Sequence, residues 1–174
     1  MMERIGLLQL AGQDVTIVGP DIEVGQQAPA FTLRAKDWSV VDVLQATEGK
    51  VRIIAAVPSL STGVCETETK RFNEEAAALD PDIAIVTVST DLPFTLNNWC
   101  AANGIERVTL YSDAYDTNFG EAYGTLIKER RILRRAVFVV DRAGKVVYAD
   151  YMKALGDQPD YASVLAAAQA ALGA

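Results

Sequence analysis

At 174 residues, half of them hydrophobic and 22% charged, the chain has the size and composition of one globular unit spanning 1–174 rather than of a disordered segment. Its net charge of −7 argues against general nucleic-acid binding, because the one basic cluster (Lys128, Arg130, Arg131, Arg134 and Arg135) is small and mixed with other residue types. There is no histidine and there are only two cysteines, Cys65 and Cys100, which excludes Ser-His and Cys-His nucleophilic sites, four-cysteine metal sites and a Cys-x-x-Cys pair.

In chain order, two apolar runs, 2–10 and 15–18, meet across Ala11-Gly12-Gln13-Asp14, the pattern of a β-hairpin, so residues 1–20 are expected to form an N-terminal hairpin. Ala28 to Leu33 reads as a short extended piece entered through Pro29, and Val40 to Leu44 as a further short strand or turn. From Val51 the pattern changes to alternating strands and helices. Val51 to Val57 is nearly all apolar, as in a central strand buried on both faces, and Pro58 ends it.

A helix is predicted from about Thr62 to Leu79, with Phe72, Ala76 and Leu79 on one face, stopped at Asp80-Pro81. Ile83 to Ser89 is a second buried strand, and Leu92 to Asn103 a second helix closed by Gly104. Val108 to Tyr111 reads as a strand and Asn118 to Tyr123 as a short helix. Ala136–Val140 and Lys145–Ala149 form a hairpin around Asp141-Arg142-Ala143-Gly144. The last helix starts near Pro159, with Tyr161, Val164, Leu165, Ala168 and Leu172 at helical spacing. Trp38, Phe94, Trp99 and Phe119 read as core or interface residues rather than a cofactor box.

The informative segment is Val57-Pro58-Ser59-Leu60-Ser61-Thr62-Gly63-Val64-Cys65. A buried strand stops at a proline and the cysteine arrives just inside the next helix, where free N–H groups and the helix dipole stabilise an anion. Glu66 and Glu68 stand close by and oppose a thiolate, so an arginine from elsewhere in the chain is needed. Alternation along the strand near residue 136 puts Arg135 on the face of Val137 and Val139 and Arg134 on the other, which fits one buried and one solvated arginine. Bland readings compete: Cys65 or Cys100 as a small buried hydrophobe, Thr62 as an N-cap, Pro58 as a strand stop.

Pro58, Thr62 and Cys65 match the peroxiredoxin motif Pro-x-x-x-Thr/Ser-x-x-Cys. With Arg71-Phe72-Asn73, with Ser89-Thr90-Asp91-Leu92-Pro93-Phe94 and with Cys100 soon after, nearly the whole chain resembles the thiol peroxidase subfamily. The resemblance implies an α/β thioredoxin-like fold, a central mixed sheet flanked by helices, carrying the N-terminal β-hairpin as an extension. It implies that Cys65 is the peroxidatic nucleophile and Cys100 the resolving cysteine of an intramolecular disulfide. Thr62 would hydrogen-bond thiolate and peroxide, Arg135 would support the thiolate, and Pro58 would shield the site from water.

The same resemblance implies reduction of hydrogen peroxide and organic hydroperoxides, no cofactor or metal, recycling by thioredoxin or a similar dithiol, and a homodimer. The alternative is a peroxide-sensing redox switch that uses the same disulfide. The N-terminus lacks the features of a secretory signal, and no apolar stretch reaches the ~18 residues of a membrane span, so a cytoplasmic protein is expected. Both cysteines fall on predicted helices, yet a disulfide needs Cα atoms within about 7 Å. At least the first turn after Cys65, and the helix around Cys100, are therefore expected to unwind on oxidation.

Overall fold

The computed structural model describes residues 1–174. Its centre is the all-apolar run expected to be a strand, β5 (Val51–Ala56), in which every residue is buried. Alternation sends Val51, Ile53 and Ala55 into one core and Ile54 and Ala56 into another, on opposite faces of a seven-stranded sheet. Strands β3 (Thr32–Arg34), β4 (Val40–Asp42), β6 (Ile83–Ser89), β7 (Thr109–Ser112), β10 (Ala136–Val140) and β11 (Val146–Tyr151) complete it. The order is β11-β10-β5-β6-β7-β3-β4. β5, β6 and β7 run parallel, while β10 is antiparallel to β5, so the sheet is mixed as expected.

One core packs helices α2 (Gly63–Glu75), α3 (Pro93–Asn103) and α5 (Tyr161–Leu172) onto the sheet through Phe72, Leu96, Tyr161 and Val164. The other holds the rings of Phe31, Phe119, Tyr123 and Phe138, with α4 (Asn118–Ala122) beneath them. α2 tightens into a 3-10 turn over Ala76–Ala78 before Asp80-Pro81, and α3 ends on Gly104 in the left-handed conformation (φ 63). Val40 to Leu44, left open between strand and turn, is β4 running straight into the one-turn helix α1 (Val43–Ala46), with Asp42 capping it.

The N-terminal hairpin forms as expected from β1 (Glu3–Leu10) and β2 (Gln13–Val18). Its turn is only Ala11-Gly12, both at positive φ, which gives the twist a two-residue hairpin needs. The hairpin is not free-standing. It belongs to a second, four-stranded sheet, β1-β2-β8-β9, with β8 (Leu126–Ile127) and β9 (Ile132–Leu133). At the junction Gly124 has φ 60, and a Cβ there would lie 2.2 Å from the Pro20 carbonyl oxygen. Only glycine lets these two chain segments approach so closely.

Candidate active site

Topology brings three strand ends together. β5 and β6 are parallel, so their C-terminal ends lie side by side; β10 is antiparallel to β5, so its N-terminal end joins them. The loop after β5 carries Pro58 to Thr62, the turn after β6 carries Asp91, and Arg135 immediately precedes β10. A crevice outside the carboxyl ends of parallel strands is where open α/β sheets place their ligands.

Cys65 is the third residue of α2 and is 0% exposed. Its sulfur has two polar neighbours, Thr62 Oγ1 at 2.7 Å and Arg135 Nη2 at 3.2 Å. Thr62 occupies the N-cap position but makes no side-chain capping bond. Its hydroxyl lies 3.0 Å from the Ser59 carbonyl oxygen instead, leaving the same proton available to either that oxygen or the sulfur. Capping therefore does not explain this threonine. Pro58 is buried where β5 gives way to the loop, and the Val57 N–H extends the parallel pairing by donating to the Val88 carbonyl.

Arg135 is 1% exposed. Besides Cys65, its guanidinium donates to Glu68 Oε2 through Nη1 and to the Leu155 carbonyl through Nε and Nη2 (3.2 and 3.0 Å). Burial pulls the guanidinium pKa down, but Glu68 and the Cys65 sulfur more than offset it, and the group stands above its ordinary value. A planar fork with five donors serves three acceptors at once here, which a lysine cannot do.

One expectation needs correction. Arg134 is not the solvated partner of Arg135: it is only 4% exposed. Its Nε donates to the Gly124 carbonyl at 2.9 Å, it pairs with Asp21, and it lies over the Tyr151 ring at 4.0 Å. Strand alternation sends it to the opposite side, as read from sequence, but Asp21 after β2, Gly124 before β8 and Tyr151 of β11 cover that side. The basic cluster is accordingly no patch, since two of its five members are buried.

Glu68, expected only to stand close by and oppose a thiolate, also engages the arginine. It is 0% exposed, on the inner side of α2 with Cys65, Thr69 and Phe72. One carboxylate oxygen accepts from Arg135 and the other, Oε1, has no partner. Burial pushes its pKa up to about 7, against the opposing pull of Arg135. The spacing 65, 68, 69, 72 is a single helical face and was the available sign of an inward carboxylate. Glu66, by contrast, faces outward and pairs with Lys70 one turn on.

Cys100 lies on α3, 6% exposed, in the same core cluster as Cys65. Both thiols are free. Beside Cys100 a depression of ≈ 300 Å³ opens between Lys36, Asn97, Gly104 and Ile105. Thr62 and Arg135 thus meet at the Cys65 sulfur, Pro58 is buried at the start of the loop that carries Thr62, and Cys100 stands on the next helix, α3. No group of three or more acidic or cysteine side chains is arranged to hold a metal ion. No helix is long and apolar enough to cross a membrane.

Residues 23–165 match the Redoxin family model. A thiol peroxidase of Bacillus subtilis is 48% identical over 162 residues, covering 91% of this chain and 94% of that protein. The chain belongs to the redoxin family, among its thiol peroxidases. It is therefore a peroxiredoxin-type peroxidase, an oxidoreductase. Among solved structures, a peroxiredoxin-like protein of Aquifex aeolicus superposes with a TM-score of 0.85 at 37% identity, covering 96% of this chain and 98% of that one. A thiol peroxidase of Chromobacterium violaceum, at 20% identity, shares the fold with a TM-score of 0.82 over 95% and 97% of the two chains. The thioredoxin-like fold with its N-terminal hairpin, expected from sequence, is the one observed.

Proposed function

We propose that this thiol peroxidase reduces hydroperoxides at Cys65 and recovers through a disulfide with Cys100. The observation that carries this reading is the Cys65 sulfur, set in the first turn of α2 between the Thr62 hydroxyl and the Arg135 guanidinium. The thiolate attacks the terminal peroxide oxygen and the O–O bond breaks. The leaving alkoxide or hydroxide takes a proton to become alcohol or water, and the cysteine becomes a sulfenic acid.

Arg135 stabilises negative charge on the sulfur and on the breaking O–O bond, in a site that excludes water. Thr62 orients the thiolate and the incoming peroxide. Pro58, buried at the start of the same loop, keeps water from the sulfur. Cys100 then attacks the sulfenic sulfur, forming the disulfide and releasing water. A dithiol protein of the thioredoxin kind reduces that disulfide. The substrates are hydrogen peroxide and organic hydroperoxides, and the working form is a cytoplasmic homodimer.

The test is peroxide consumption by the wild type, Cys65→Ser and Cys100→Ser with thioredoxin, its reductase and NADPH. Sustained turnover that is absent in Cys65→Ser and stalls after one cycle in Cys100→Ser supports the reading. Oxidation of the wild type that stops after one equivalent, with reductant present, would mark a redox switch instead. Equal inertness of the wild type and Cys65→Ser would overturn it.

A further inference from the structure

The string Ser89-Thr90-Asp91-Leu92-Pro93-Phe94 contributes to the family resemblance, yet none of its residues touches the Cys65 sulfur. Asp91 stands between the β6 terminus and the first residue of α3 and reaches across to the loop after β5. Its Oδ1 accepts from the Ser59 hydroxyl at 2.7 Å. Its Oδ2 accepts from the Leu60 N–H and the Ser89 hydroxyl, both at 2.8 Å. The Asp91 carbonyl accepts in turn from the Ser112 hydroxyl at the end of β7 (2.6 Å). One carboxylate therefore ties the reactive-cysteine loop to the root of the helix that carries Cys100.

Two consequences follow from what these partners touch. Ser59 presents its carbonyl to the N–H and the hydroxyl of Thr62, at 3.1 and 3.0 Å, and the Thr62 hydroxyl is the group 2.7 Å from the Cys65 sulfur. Asp91 thus fixes the Ser59 side chain, the Ser59 main chain carries the carbonyl that meets Thr62, and the Thr62 hydroxyl proton is shared between that carbonyl and the Cys65 sulfur. Leu60, the other captured residue, is 1% exposed and packs in the core cluster shared by Cys65, Leu96 and Cys100.

We propose that Asp91 is a positioning residue that latches the Pro58–Thr62 loop to the root of α3. It aims the Thr62 hydroxyl at Cys65 while the thiol is reduced, and the latch must let go before Cys100 can reach the sulfenic sulfur. The proposal rests on the two-cysteine cycle above. It has opposite effects on the two chemical steps. The latch favours attack on peroxide, because a nucleophile and its orienting group held in register react faster. It restrains disulfide formation, because the loop and α3 must separate.

The choice of variants follows from the geometry. Asp91→Ala removes all three acceptor contacts. Asp91→Asn keeps them: its oxygen accepts from Leu60 and Ser89 while its amide donates to Ser59, whose hydroxyl can turn to accept. Ser59→Ala removes one strand of the latch without altering the β6 terminus. Reduced protein is mixed with one equivalent of hydrogen peroxide, quenched with acid at intervals and alkylated. Free thiols then fall from two to one on sulfenate formation and to none on disulfide formation.

In Asp91→Ala the peroxide-dependent step slows about tenfold, while the peroxide-independent closure of the disulfide speeds up about three- to tenfold. Ser59→Ala shifts both in the same senses by less, and Asp91→Asn returns both to within about threefold of the wild type. Gly124→Ala, which weakens the fold away from this loop, is the control and should not produce this opposed pair of changes. If both steps slow together in Asp91→Ala, or neither moves, the latch is refuted and the two-cysteine cycle stands. If the wild type itself forms no disulfide, the cycle fails and the latch with it.

Discussion

Replacing Glu68 by glutamine isolates the most unusual charge in the site. The Glu68 carboxyl is fully buried, with one donor from Arg135 and one bare oxygen. A single charge-assisted hydrogen bond does not compensate the loss of a carboxylate's hydration. Its pKa accordingly stands at about 7 rather than 4.5. The folded pKa lies above the unfolded one, so this group's contribution to stability is complete below pH 4.5 and is lost as pH rises through 7. The shift corresponds to about 3 kcal/mol in total, with a slope near 1.4 kcal/mol per pH unit inside that window.

Asp113, buried and pushed up to about 7, slopes in the same sense, so the wild type alone cannot separate the two. The difference between wild type and Glu68→Gln can, because glutamine resembles the protonated acid and still accepts from Arg135. Urea unfolding of both reduced proteins at steps from pH 5 to 8, read by the two tryptophans, should give nearly equal stabilities at pH 5. By pH 8 the glutamine variant should lead by about 3 kcal/mol. A difference that stays flat with pH, or that turns against glutamine as pH rises, would mean that the ion pair outweighs burial and would refute the reasoning.

Arg135→Lys should cost about 100-fold or more in kcat/KM for peroxide, measured by stopped flow, since an ammonium cannot serve Cys65, Glu68 and Leu155 together. Thr62→Val should lower the same constant by about tenfold or more, with Thr62→Ser close to wild type, while stability falls by no more than about 1 kcal/mol, the worth of the hydroxyl's bond to the Ser59 carbonyl. Gly124→Ala should destabilise the fold by about 2–4 kcal/mol in urea titrations, from its φ of 60 and the collision with the Pro20 carbonyl.

Much of this architecture is written in local pattern. β5 and β6 announce themselves as apolar runs because both their faces are covered, and α3 stops where Gly104 says it must, while α2 gives way to a 3-10 turn after Glu75, ahead of Pro81. Thr62 beside Cys65 was legible because both stand in one loop motif, and Arg135 was singled out by the family resemblance, alternation adding only that it shares a face with Val137. β8 and β9 were not legible. Two-residue strands either side of Lys128-Glu129-Arg130-Arg131 have no period to detect, and they exist only because β2 offers an edge to pair with. The misjudgement of Arg134 has a related root, since its cover comes from Asp21, Gly124 and Tyr151, all distant from it in sequence or outside any periodic run. Glu68 shows a different limit. Helical spacing places it inward, but nothing in the sequence says that an arginine 67 positions away will meet it.

Cys65 is itself a member of the larger core cluster, packed with Val57, Leu60, Phe72 and Leu96 without any exposure to solvent. Drawing its sulfur out of that cluster leaves a void near the size of a methyl group, at a cost of about 1 kcal/mol. The hydrophobic core therefore acts as a return spring. Whatever excursion the cysteine makes during its work, packing alone supplies the force that brings the reduced thiol home.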